Sequence, residues 1–266
     1  MRPSLIFFAL SALLATACSV TPRDWAGSQS SDLAAVTPTF FTVAASAQGG
    51  FDLTSVNMAV VTHVATIDYS GTGLDEATIA SLQALPSAEL VLQGTTSGST
   101  LLVSTAYEGM PGMTYSPSAT FYQASNSAAV ALNQSAPTQS VCVDVTAAAA
   151  PHVQLSWLSG QVMAGALVAG QVAQGSNVLA ATQVFIPLPY AATPCVISSH
   201  VCSQSAPWDT YTRGADLCVE FAGCESLGIC PDFIPECWAG YTRTSWRAGS
   251  GACMQYACDP TFLHGG

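Results

Sequence analysis

Lysine is absent from this 266-residue chain, and five arginines are its only strongly basic side chains. That absence excludes Schiff-base catalysis and Ser–Lys nucleophile pairs. No basic residue stands between Arg23 and Arg213 apart from histidine. Tracking a phosphate backbone takes several clustered cations, so nucleic acid is excluded as a partner. Electrostatic attraction to an anionic membrane surface is excluded on the same ground. Charged residues make up only 8% of the chain, against about a quarter in ordinary proteins. Half the residues are hydrophobic, yet the one long apolar run, Leu5 to Ala15, is shorter than the roughly 20 residues of a spanning helix. Ser, Thr, Gln and Gly break every later apolar stretch, which predicts a soluble body with a neutral polar surface. Gly-x-Ser-x-Gly, His-Glu-x-x-His and phosphate-binding Gly-Lys motifs are missing too, so neither a cofactor nor a standard catalytic centre is expected.

What is present begins with an export signal. Met1-Arg2 is a short cationic start, Leu5 to Leu14 an apolar centre, and Ala15-Thr16-Ala17 a small-residue exit. Because Cys18 comes next, Leu14 to Cys18 resembles the bacterial lipobox, which implies diacylglycerol on the Cys18 sulfur and cleavage before it. Ala15 stands where that motif usually has Leu, and the same residues suit ordinary signal peptidase. Ser19 follows rather than Asp, which points to the outer membrane over the inner. Residues 1–17 are read as signal peptide and the Ser-, Thr- and Pro-rich residues 18–37 as a flexible tether.

Residues 38–190 read as a duplicated body with copies at 38–112 and 119–188. Short β-branched-rich runs, bounded by Gly, Ser and Pro, have the grammar of strands. Ile79 and Leu82 in one copy, and Leu155 and Leu158 in the other, have the spacing of one helical face. Pro151 suits a first helical turn. The expected fold class is α+β: a tandem pseudo-repeat of strand-strand-helix-hairpin units, followed by a small disulfide-rich module.

Ala65 to Leu74, Leu101 to Ser104, Ala119 to Tyr122, Leu132-Asn133 and Leu167 to Gly170 together resemble an uncharacterised domain of myxobacterial secreted lipoproteins, over residues 38–188. The resemblance implies export and a shared fold, with no activity. Such domains hold cysteine pairs soon after the first strand of each copy; residues 45–57 and 125–133 here have none.

The grammar changes at residues 191–266. Eight of the ten cysteines fall there: Cys195, Cys202, Cys218, Cys224, Cys230, Cys237, Cys253 and Cys258. An even, dense set in an exported chain reads as a disulfide framework, with the connectivity open. With Cys18 lipidated, Cys142 would be left as a buried thiol; the alternative is a bridge between the two. Zinc is the rival for the eight, but the set contains no Cys-x2-Cys knuckle. His200 and His264 lie at the edges of the module, and His63 and His152 in the body read as surface or structural residues.

Trp208, Tyr211, Trp238, Tyr241 and Trp246 are candidate binding residues, because exposed rings stack on sugars and anchor protein partners. The bland reading makes them the core of a small module. Arg243 and Arg247 flank Trp246 and suit a cation–π stack. Acid pairs at Asp216/Glu220, Asp232/Glu236 and Asp68/Asp144 are weak candidates for divided acid and base roles; for the last pair, turn capping is the plainer reading. The function expected is a non-enzymatic cell-envelope lipoprotein, held to a membrane by lipid, whose terminal module binds a protein or glycan. The alternatives are a secreted hydrolase using Asp216 and Glu220, and a protease-inhibitor-like module with a rigid loop between bridged cysteines.

Overall fold

The computed structural model describes residues 39–263 except 126–127, 136–137, 191–193, 197–199 and 250. The signal segment, the tether, Cys18 and His264 lie outside the described residues.

The chain opens with strands β1 (Phe40–Ala45), β2 (Phe51–Ser55), β3 (Val61–Val64) and β4 (Thr66–Asp68), then helix α1 (Glu76–Gln83). Strands β5 (Leu90–Ser97) and β6 (Thr100–Gly109) form a long hairpin. Next come β7 (Thr120–Ser125), β8 (Ala128–Ala131), β9 (Gln139–Ser140), β10 (Cys142–Asp144) and helix α2 (Leu155–Met163). A second long hairpin, β11 (Leu167–Val172) and β12 (Val178–Leu188), completes the body. The main path of the sheet runs β3-β2-β1-β5-β6-β12-β11-β7-β8-β9, while β4 and β10 add short parallel pairings to β6 and β12.

Among the described residues the fold is therefore mostly antiparallel β, with 45% strand, 12% helix and two α-helices, and not the expected α+β class. The reason lies between the hairpins. Strand β12 pairs with β6 from Ala106 to Gly109, so hydrogen bonding runs unbroken from one long hairpin into the other. The helices are only eight and nine residues long and serve as lids on that sheet. Asp75 caps α1, its Oδ1 accepting the Thr78 N–H at 2.7 Å. Pro151 does not start α2. His152 behind it has φ 67°, and the helix begins at Leu155.

Period-2 alternation sends side chains to two faces. Leu82 of α1 packs with Leu53, Leu92 and Leu101, and Trp157 of α2 packs with Val168, Val184 and Ile186. The opposite face gathers Phe40, Val91, Tyr107, Phe185, Leu167 and Phe121, one from each of β1, β5, β6, β12, β11 and β7. Phe121 and Phe185 stack with ring centroids 5.7 Å apart. Six consecutive strands sharing one interior cluster means that the sheet curls round it.

Two asparagines close the curl. Strands β1 and β7 are five places apart in the sheet, yet side chains join them. Asn133 Oδ1 accepts the N–H groups of Thr39 (2.9 Å) and Phe40 (3.1 Å), while Nδ2 donates to the Phe40 and Val56 carbonyls. Asn57 does the reverse from the other half. Its Oδ1 accepts the Phe121 N–H at 2.7 Å, and its Nδ2 donates to the carbonyls of Phe121 and Leu132. Both residues have positive φ, 60° at Asn57 and 53° at Asn133, a region that Asn tolerates better than most residues. A primary amide is the side chain that offers donors and an acceptor together, as a strand edge requires.

Truncating Asn133 orphans the Thr39 and Phe40 N–H groups and the Val56 carbonyl, while the Phe40 carbonyl keeps the Val56 N–H, so Asn133→Ala is expected to lower unfolding stability by about 3–5 kcal/mol. Asn133→Asp should cost a similar amount, since a carboxylate would face two carbonyls. Gln134→Ala, at an exposed position next door, should change it by less than about 1 kcal/mol. Urea unfolding of the three variants checks this.

Candidate functional site

Beyond the body, β13 (Trp208–Arg213) pairs with β14 (Val219–Glu225), and β15 (Tyr241–Ala248) with β16 (Cys253–Pro260). The bridges are Cys195–Cys218, Cys202–Cys224, Cys230–Cys253 and Cys237–Cys258. In each half, two cysteines ahead of a hairpin strand pair with two in, or immediately before, the hairpin's second strand. Four closed bridges suit an oxidising compartment, extracellular or in a cell envelope. Cys142 is disulfide-bonded as well, so it is not a buried thiol. Cys202, Asp209 and Cys224 lie close together, but both sulfurs are spent in one bridge and neither is a thiolate able to hold a metal.

A buried ion pair joins the two hairpins. Arg213 Nη2 donates to Asp259 Oδ2 at 2.6 Å, Thr244 Oγ1 donates to the same oxygen, and Arg213 Nε donates to the Leu217 carbonyl. The module also grips the body. Tyr241 Oη donates to the Pro111 carbonyl at 3.1 Å, the Cys258 N–H to the His152 carbonyl, and Gln154 Nε2 to the Gly214 carbonyl. Gly240 has φ 84°, and a Cβ there would strike the Pro111 ring; glycine is required at this crossing.

The five candidate rings have different fates. Tyr241 is buried and structural. Trp246 lies beneath the Arg213 guanidinium, 5.3 Å from its centroid, so the cation–π pair expected from Arg243 or Arg247 comes from a neighbouring strand. Arg247 instead sits 4.1 Å over Trp208. Trp208 and Tyr211 share a hollow of about 650 Å³ with His200, Asp209, Arg247 and Met254. The His200 ring stacks on Phe221 at 3.6 Å. Trp238 is 49% exposed.

The segment from Cys230 to Cys237 has no regular structure and is exposed almost throughout. Its two cysteines are tied to β16, one at its first residue and one near its end. Phe233 is 61% exposed and Ile234 53%. Pro235 is buried and biases Ile234 towards extended backbone. Leu227, Ile229 and Trp238 extend the apolar display on either side.

The acid pairs do not converge on a cleft. Asp216 and Glu220 are both exposed and line neither described cavity; Asp216 Oδ1 accepts the Cys218 N–H. Asp232 and Glu236 are exposed on the stapled loop. Asp68 and Asp144 accept the N–H groups of Ser70 and Thr146, and hydrogen bonds from these two residues hold both carboxyls below their usual range. They are turn caps. His63 meets Asp52 on the surface at 3.1 Å.

Sequence reasoning missed Glu108. It lines a cavity of about 770 Å³ between α1, the end of β12 and the closing turn Thr261–Leu263. Burial, with the negative charge of Glu89 beside it, pushes its carboxyl up from 4.5 to about 7. A strand acid in Tyr107-Glu108-Gly109 gave no such signal.

A carboxyl with a raised folded-state pKa costs stability as pH climbs from its unfolded value to its folded one, here from about 4.5 to about 7. Glu108→Gln should therefore melt with the wild type near pH 4.5. At pH 8 it should be more stable by about 2 kcal/mol, allowing for partial exposure. Thermal melts across that range check the sign.

No family model, curated protein or solved structure matches the chain.

Proposed function

We propose that this is an exported, non-enzymatic binding protein whose terminal module engages a protein partner through the Cys230–Cys237 loop. The observation that carries this reading is the exposure of Phe233 and Ile234 on a segment stapled at both ends. Apolar side chains held out to water by covalent restraints gain by burial in a partner. A loop already restricted loses little further entropy on binding. Asp232 and Glu236 at its flanks favour a groove with a basic rim. A glycan is the weaker occupant, since Arg247 already covers a face of Trp208 that a sugar ring would need.

The same loop favours a second reading, a protease-inhibitor-like module, in which Phe233 and Ile234 would enter a protease cleft as a slowly cleaved substrate mimic. A photo-crosslinker at position 233 in the native host should trap a discrete adduct, and Ile234→Asp should abolish it; the same probe at exposed Leu102 should trap none. No adduct at position 233, or equal adducts at both, would count against the loop. Stoichiometric inhibition of a serine protease by the purified protein would favour the inhibitor reading over simple adhesion.

Anchoring through Cys18 is the remaining part of the proposal, resting on the lipobox-like residues Leu14 to Cys18. Two fates compete for that sulfur. Eight cysteines pair among themselves and Cys142 is bonded, so Cys18 is the tenth and last to assign. A thioether to diacylglycerol and a disulfide exclude each other at one sulfur. Intact mass of the mature protein, before and after reduction, separates them. A lipid adduct supports the anchor; a lipid-free chain with every cysteine bridged overturns it.

A further inference from the structure

The cavity beside Glu108 belongs neither to the stapled loop nor to the hollow under Arg247. Its walls come from three distant stretches: α1, the end of β12 with Pro189 and Tyr190, and the turn Thr261–Leu263. Its volume, about 770 Å³, is that of a small-molecule site.

An inventory of its polar atoms gives the cavity a chemical sense. Most side-chain donors of the described lining are spent on the protein itself. Ser81 Oγ donates to the Ala77 carbonyl at 3.0 Å, and Thr261 Oγ1 donates to the Gly240 carbonyl at 3.1 Å. The Thr78 N–H is taken by Asp75 Oδ1 at 2.7 Å. Tyr190 Oη accepts the Trp157 Nε1–H at 3.2 Å, which leaves its own proton uncommitted. Acceptors remain. The Glu108 carboxyl has no hydrogen-bond or ion-pair partner among the described residues, and one Asp75 oxygen is unengaged by the helix cap.

Among the described residues no cation lines the cavity to answer that carboxylate. The chain has no lysine, Arg213 is held by Asp259, and Arg247 lies over Trp208 in the other hollow. The rest of the wall is apolar, with Leu74, Leu188, Pro189 and Phe262. A ligand that satisfies this surface brings N–H donors and positive charge at one end and hydrocarbon at the other. An anion is repelled, and a sugar finds too few donors.

We propose that this cavity binds an alkylammonium group, with Glu108 as its counter-ion and Leu188, Pro189 and Phe262 as the wall for its methylenes. The ammonium supplies three donors to a surface of acceptors. The same chemistry arrives as a free aliphatic amine or as the lysine side chain of a peptide.

Binding must follow the charge on Glu108. Among the described residues, the titratable groups beside it or on the same cavity wall are Glu89 before β5, Asp75 at the start of α1 and Tyr190 after β12. None of them is basic. The Thr78 hydrogen bonds hold the Asp75 carboxyl below its usual range, so it is charged at every pH above 6 and adds no step there. Ionisation of Glu108 governs the profile. For a carboxyl that titrates near 7, the ionised fraction rises about tenfold between pH 6 and pH 8.

Calorimetry or NMR titration of the mature full chain tests this with three probes: n-pentylamine, the peptide acetyl-Gly-Lys-Gly-amide, and neutral 1-pentanol. The expected result is that pentylamine or the peptide binds at least about tenfold more tightly than pentanol, and about tenfold more tightly at pH 8 than at pH 6. Glu108→Gln should remove both differences while its melting curve shows an intact fold. Ser81→Trp, at an exposed helix position on the cavity wall, should block all three probes. Amine alone binding identifies a free-amine site; peptide alone identifies a lysine-reading site. Equal binding of amine and alcohol, no binding of either charged probe, or full amine binding by Glu108→Gln would overturn the proposal.

Discussion

The reciprocal amide clamp between Asn57 and Asn133 is the contact on which the architecture depends. Six strands that share one interior cluster must bring their outer members, β1 and β7, together, and the described ladder does not pair those two strands. Each asparagine leaves its own half at a positive-φ corner and satisfies backbone groups of the other half. Phe40, Phe121 and Phe185 are thereby enclosed. The helices, the long hairpins and the module all build on that closed body. Hydrophobic burial supplies most of the favourable free energy, whereas the clamp selects the curled sheet over an open one.

The terminal module is held differently. A small hairpin pair has little interior, so covalent bridges and a buried ion pair replace apolar volume. Of the three arginines beyond the tether, Arg213 is engaged by Asp259 and Trp246, and Arg247 by Trp208. Little positive charge is left to screen the acids of the surface. The three candidate surfaces described above differ accordingly: an apolar loop, a hollow capped by a cation, and a cavity rich in acceptors.

Chemistry that depends on counting was legible in the sequence. The even, dense set of eight cysteines pointed to the disulfide framework that the bridges show. Packing was not legible. Ile79 with Leu82, and Leu155 with Leu158, carry true helical spacing, but eight- and nine-residue helices contribute little to fold class when the strands between them merge. Two loop asparagines look like any turn residues, because their role lies in groups 64 to 94 positions away. Glu108 was invisible for a related reason: its environment is set by α1 and the closing turn, which lie far from it in sequence. The aromatic set was half legible, since residue type cannot say whether a ring faces water, a guanidinium or the core.

The order of bridging bears on how the chain matures. In each quartet the first cysteine joins the third and the second joins the fourth: Cys195 with Cys218 and Cys202 with Cys224, then Cys230 with Cys253 and Cys237 with Cys258. Within each quartet, an oxidant joining neighbouring cysteines in chain order would make Cys195–Cys202 and Cys230–Cys237, both non-native links. Correct pairing therefore calls for thiol–disulfide exchange, an attack by a later thiolate on an earlier bridge. An oxidising compartment that exchanges bonds as well as forming them would bring this module to its native pairing.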